Sequence, residues 1–201
     1  MTADRRLQIG GWAALLVAML LPLDFVAVRL WPVTSEPAGV AGLVALASLA
    51  SVATLVAATG LDGLFRSIAP GQASRVLAIG LVGAVLGVVA GESSGQIVGP
   101  IGWLALLSGV LIGLWFFLGG AILMSGGRGL ARIGWSGMIG GGAMILASVS
   151  SALGLGGATG GAPDELPIRD WFHLIGLLVV IYLVRTWRYV VGGRLPAPGI
   201  L

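Results

Sequence analysis

Six long apolar stretches alternate with short polar gaps along this chain, at roughly 8–30, 38–59, 76–90, 97–124, 133–155 and 171–191. A hydrocarbon core about 30 Å thick needs roughly 20 apolar residues per helix, and most of these stretches meet that length. The stretch at 76–90 is the shortest. The pattern predicts an all-α, polytopic transmembrane bundle of six helices forming one domain over 1–201. The first stretch is too long for the core of a signal peptide. Pro22, Asp24 and Arg29 stand in it where a cleavage site would need small residues, so it is expected to be a retained helix.

The polar gaps differ in charge by turns. Arg5 and Arg6 precede the first stretch, and Arg66 and Arg75 lie between the second and third. Arg128 and Arg132 separate the fourth and fifth, and Arg185, Arg188 and Arg194 follow or close the sixth. The alternate gaps hold Arg29 and Arg169 but collect Glu36, Glu92, Asp164, Glu165 and Asp170. Basic residues near helix ends are retained on the cytoplasmic side, so both termini are expected to be cytoplasmic. In the gap at 60–75, Leu61, Leu64, Phe65 and Ile68 recur at helical spacing beside Asp62 and Arg66. Two forms fit that segment: a short helix lying at the headgroups, or a second helix that runs on past the interface.

Composition narrows the class further. The chain is 57% hydrophobic and 9% charged, too apolar to cover a water-soluble surface. Its net charge of +3 comes from arginines, and anionic lipid is the expected partner for them rather than nucleic acid. There is no Cys, which excludes disulfides, thiolate metal sites and cysteine nucleophiles. The absence of Lys excludes Schiff-base chemistry. Missing Lys and Asn beside abundant Gly and Ala points to a GC-rich bacterial genome, hence a bacterial inner membrane.

Glycine is the second informative feature, with 35 residues, mostly inside the apolar stretches. Gly83, Gly87 and Gly91 recur every fourth residue, and Gly95–Gly99, Gly109–Gly113 and Gly137–Gly141 repeat that spacing. Small residues on one helix face let two backbones approach closely, which replaces the hydrophobic drive that lipid cannot supply. Close packing within the chain is the expected use of these faces, and homo-oligomerisation the alternative. A bulky residue at Gly87 is expected to loosen the bundle by about 1–3 kcal/mol. Trp12, Trp135, Trp187, Trp31 and Trp171 fall near stretch ends, as aromatic belts do. Trp115-Phe116-Phe117 lies deeper, where lipid-facing filler is expected over a buried cluster. The stretches that follow Arg6, Arg75 and Arg132 each reach a glycine within a few residues, compatible with three parallel helical hairpins.

Candidate chemistry gathers at the outer ends. Asp24 is an intramembrane carboxylate, which is rare and usually functional. At about 1.5 Å per residue from the start of its stretch, it sits near the outer quarter of the core. Arg29 is badly placed to pair with it around the helix, so Arg169 or His173 are its expected partners. A structural polar tie among these groups competes with a proton or cation site. His173 stands one turn from Asp170; a pigment or haem ligand is the sharp possibility for it, and an interfacial histidine the plain one. The composition requires no cofactor. Glu92, Ser93, Ser94 and Gln96 make a polar outer turn.

The segment Ser125-Gly126-Gly127-Arg128-Gly129-Leu130-Ala131-Arg132-Ile133-Gly134-Trp135 resembles the link between the fourth and fifth helices of a broad group of uncharacterised bacterial six-helix membrane proteins. In that group a small basic turn precedes a Gly-Trp helix start; here the turn lacks the proline often found in such links. The resemblance implies a stand-alone bundle or an accessory subunit, and carries over no catalytic residues. The expected function is therefore non-catalytic: an accessory subunit packed against other membrane subunits. A small proton- or cation-coupled carrier using Asp24, with Glu92 in support, is the alternative.

Overall fold

A computed structural model of the protein describes residues 3–30, 37–90, 100–153, 172 and 174–192, with side chains described for 4–23, 42, 44–90, 103–153, 172 and 174–192. The elements are α1 (Ala3–Leu30), α2 (Pro37–Ile68), α3 (Pro70–Ala90), α4 (Pro100–Ser125), α5 (Arg128–Ala152) and α6 (Leu178–Gly192). Among the described residues there is no strand, and six helical spans are long and apolar enough to cross a membrane. The sixth span begins at Leu174. Its helix is interrupted at Leu177, whose N–H donates to Leu174 O while Val180 N–H donates to Leu177 O.

At their arginine-bearing ends α1, α2, α3 and α5 extend past the apolar stretches, because the arginines are helical too. Long guanidinium side chains can reach the headgroups from within a helix, so a charge need not end it. In the gap at 60–75, α2 runs on to Ile68, and Leu61, Leu64 and Phe65 enter the core. The separate headgroup-level helix does not form. A single residue, Ala69, then separates α2 from α3, which opens on Pro70. Pro37, Pro70 and Pro100 each occupy a first helical position, where a missing N–H costs nothing. The turn between α4 and α5 needs Gly127, whose φ of 104° lies in the left-handed region.

The helices form a closed ring in chain order: each packs on the next, and α6 returns to α1. α2 also touches α4 across the inside. Hairpins α1–α2, α3–α4 and α5–α6 each pack internally. Hydroxyls buried in this apolar setting mostly bond their own helix: Thr54 Oγ1 donates to Ala50 O at 2.8 Å, Ser136 Oγ to Ile133 O at 2.8 Å, and Thr186 Oγ1 to Tyr182 O at 2.7 Å. Each thereby avoids an unsatisfied group where no water can reach it.

Over residues 80–89 of α3 the larger apolar side chains point outward and small ones inward. On α3, Val82, Val85 and Val89 are exposed at helical spacing, while Gly80, Gly83 and Ala84 are buried. That inversion is what a bilayer permits, because lipid tails solvate valine as well as a protein core does.

Candidate functional site

The most informative feature of the interior is how the helices meet. At one end of the bundle α1 and α2 cross at Gly10 and Gly60, where a Cβ built on Gly10 would stand 2.5 Å from Gly60 Cα. α4 and α5 cross at Gly120 and Gly134: a Cβ on Gly120 would lie 2.6 Å from Gly134 O. α5 and α6 meet where a Cβ on Gly140 would stand 2.6 Å from Val179 N. These are backbone-to-backbone contacts, reachable only without a side chain.

Six glycines singled out by their spacing lie in such seams. Gly83 faces Leu111 and Ile112 of α4. Gly87 lies between Ser51 Oγ of α2 and Ser108 Oγ of α4. Gly109 faces Ser148 Oγ, and Gly113 and Gly141 oppose each other across the α4–α5 seam. Gly137 receives the ring of Tyr182. Gly91 lies outside the described residues.

Ser51, Gly87 and Ser108 begin a regular three-helix seam. Steps of seven residues from them reach Ala58, Gly80 and Trp115, and then Phe65, Ala73 and Ile122. The Ala, Trp, Phe and Ile members of those two steps all belong to one buried cluster. A seven-residue period is what keeps one face of each helix turned to its partners. Ser108 Oγ donates to Gly83 O at 2.8 Å, a hydrogen bond between α4 and α3. Gly87→Ala is expected to destabilise the bundle by about 1–3 kcal/mol, because its Cβ would collide with Ser51 Oγ and stand 2.9 Å from Ser108 Oγ. Adding Ser51→Ala should recover part of that loss, leaving Ser108 Oγ at 2.9 Å and residue 51 Cβ at 3.2 Å as the remaining obstacles. Thermal unfolding of the two singles and the double measures this coupling.

The aromatic triplet on α4 corrects the expectation drawn from its sequence. Trp115 is 1% exposed and Phe116 is fully buried, so neither is lipid-facing filler. Trp115 lies against Gly80, whose Cβ would stand 2.7 Å from the indole Cδ1. Trp115 and Phe116 rings lie 4.8 Å apart, and Phe116 meets Tyr182 edge-on at 6.0 Å. Gly119 lets Phe65 and Tyr182 approach from either side: its Cβ would be 3.0 Å from Phe65 Cζ and 3.1 Å from Tyr182 Oη. α2, α4 and α6 therefore share an aromatic centre. The missed signal was the spacing of glycines around it: Gly80, Gly119 and Gly137 are each the pocket for a ring.

Among the described residues three buried side-chain polar atoms have no hydrogen-bond partner: Trp115 Nε1, Trp187 Nε1 and Asp62 Oδ1. Asp62 uses its other oxygen to accept from Arg66 Nε at 2.5 Å. This pair and the other arginines whose side chains are described belong to one end of the bundle. Gly10 meets Gly60 there, Trp12 lies 5.3 Å from Trp187, and Arg185 Nη1 donates to Arg132 O at 3.3 Å.

The expected outer cluster cannot be assembled from the described side chains. Asp24 is helical in α1, but its side chain lies outside them. Glu92, Arg169, Asp170 and His173 lie outside the described residues altogether, so their pairing, and any ligand at His173, has no geometry here. Among the described residues no group of three or more His, Asp or Glu side chains is placed to hold a metal.

The architecture defines the class: among the described residues, an all-helical bundle with six spans suited to crossing a membrane, closed into a ring by glycine contacts. No family model matches the chain, and neither the curated proteins nor the solved structures contain a match to it.

Proposed function

We propose that the protein is a non-catalytic, multi-pass component of a bacterial inner membrane, with both termini cytoplasmic, serving as an accessory or structural subunit of a larger membrane complex. The observation that carries this reading is the way the interior is filled. Neighbouring helices touch backbone to backbone at Gly10–Gly60, Gly120–Gly134 and Gly140–Val179, and aromatic rings occupy the centre. Such an interior supplies rigidity, and the chemistry of the outer faces is left to contacts with lipid and neighbouring subunits. The arginine-rich end supports the orientation, since retained basic residues mark the cytoplasmic side.

Purification from the native membrane in mild detergent tests the assignment. Stoichiometric partner subunits by mass spectrometry are expected, and the eluate's absorption spectrum reports any pigment. A colourless, solitary bundle would overturn the subunit reading in favour of a small proton- or cation-coupled carrier. In that case Asp24→Asn should abolish transport; in a subunit it should affect only assembly or stability.

A further inference from the structure

Four arginines gather where α5 begins and α6 ends. Arg128 is the first residue of α5, and Arg132 lies one turn further along it. Arg185 of α6 reaches across to donate to Arg132 O, and Arg188 follows three residues later. All four are exposed. The two acids whose side chains are described lie on other helices: Asp62 pairs with Arg66 on α2, and Asp4 lies in the first turn of α1. Retention of basic residues on one side of the membrane explains why arginines occupy this end. It does not explain why four of them share one helix pair with no acid between them, where like charges repel.

Directly below the guanidiniums the same two helix faces become apolar. The exposed stripe of α5 runs Arg128, Arg132, Trp135, Ile139, and that of α6 runs Arg188, Arg185, Ile181. The bond from Arg185 to Arg132 sets these stripes side by side. Trp135, three residues on from Arg132, is 55% exposed, and an indole favours the level of glycerol and headgroup. A cationic cap over an apolar, aromatic-edged wall has the polarity profile of a phospholipid, with phosphate above and acyl chains below. Guanidinium forks bind phosphate oxygens in pairs, so four of them suit two phosphates.

We propose that the α5–α6 face is a binding site for an anionic phospholipid carrying two phosphates, of the cardiolipin type. Arg128, Arg132, Arg185 and Arg188 hold the headgroup, while Trp135, Ile139 and Ile181 line the chains. The headgroup then cancels the repulsion among the arginines and ties α5 to α6 at the end where Arg185 Nη1 donates to Arg132 O.

The test uses the full chain purified in a neutral detergent and titrated with cardiolipin, phosphatidylglycerol, phosphatidylcholine or inorganic phosphate, with bound lipid counted by native mass spectrometry. One cardiolipin is expected to be retained preferentially, and phosphatidylglycerol more weakly. Arg132→Gln with Arg185→Gln should weaken cardiolipin retention about tenfold. A charge-matched pair elsewhere on the same end, Arg5→Gln with Arg75→Gln, should change it less than about twofold. Equal losses in the two pairs would reduce the site to bulk charge and overturn the proposal. So would equal retention of phosphatidylcholine, or complete displacement of the lipid by millimolar phosphate. If the first pair does not yield folded protein, Arg128→Gln with Arg188→Gln carries the same test, because neither side chain makes a described hydrogen bond.

Discussion

Alanine at Gly60 is expected to cost more stability than alanine at any exposed glycine of the chain. Its Cβ would overlap Gly10 Cα and come within 2.9 Å of Arg6 O. These are backbone atoms of another helix, so no rotamer change relieves the contact; α1 and α2 must separate. Overpacking usually costs about 1–3 kcal/mol, and an obstacle that cannot rotate away places Gly60→Ala at or above the upper end. Gly10→Ala meets the same crossing from the other side and should behave alike. Gly63→Ala is the control, because nothing lies within 4 Å of its Cβ position. There the better helix propensity of alanine should stabilise by about 0.5–1 kcal/mol. Thermal unfolding in detergent compares the three. Equal melting temperatures for Gly60→Ala and Gly63→Ala would show that the α1–α2 crossing is not as close as described.

Removal of the Trp115 side chain should be comparably damaging for the opposite reason. The indole fills the space between α3 and the centre, against Gly80 and Phe116. Trp115→Ala leaves a cavity bounded by helices that are already held at their closest approach elsewhere, so collapse is limited. The expected cost is about 3–5 kcal/mol. Trp115→Phe should cost much less. The indole N–H has no hydrogen-bond partner, so its removal forfeits no bond and relieves a buried donor. The pair of variants separates volume from polarity: a tryptophan held by its N–H would suffer equally in both. Intrinsic fluorescence gives an independent readout, since loss of this buried indole should remove the most blue-shifted component of the emission.

The two substitutions mark what could and could not be foreseen along the chain. Gly83, Gly87, Gly109, Gly113, Gly137 and Gly141 were visible as regularly spaced small residues, and each lies in a helix seam. Gly10 and Gly60 were not, because each belongs to a different helix and neither carries a four-residue partner that completes the crossing. The spacing of residues within a helix reports a face; the identity of the opposing face is a property of the ring. Trp115 and Phe116 show the same limit. In a bilayer a tryptophan is equally at home against lipid or protein, so hydropathy is silent about which way it points. Only the position of Gly80 across the seam decides it.

Helix ends were legible to within several residues, and at the arginine-bearing ends they were displaced in one direction. The apolar stretches stop where charges begin, whereas α2, α3 and α5 continue through Arg66, Arg75 and Arg128. A helix ends where its backbone runs out of partners, and an arginine that extends to the interface does not remove any. Pro70 and Gly127, rather than the arginines, mark the turns.

Hydropathy and length alone determined that six helices are suited to span a membrane, because backbone hydrogen bonds must be closed within each segment there. Alternation of arginine along the chain determined which helix ends fall together, since successive helices run in opposite directions. Tertiary structure decided the order of the ring, the backbone contacts at Gly10–Gly60 and Gly120–Gly134, the aromatic centre of α2, α4 and α6, and the pairing of Arg132 with Arg185. Those depend on the shapes of two surfaces at once, and in a medium as apolar as the side chains themselves, shape rather than hydrophobicity selects the partner.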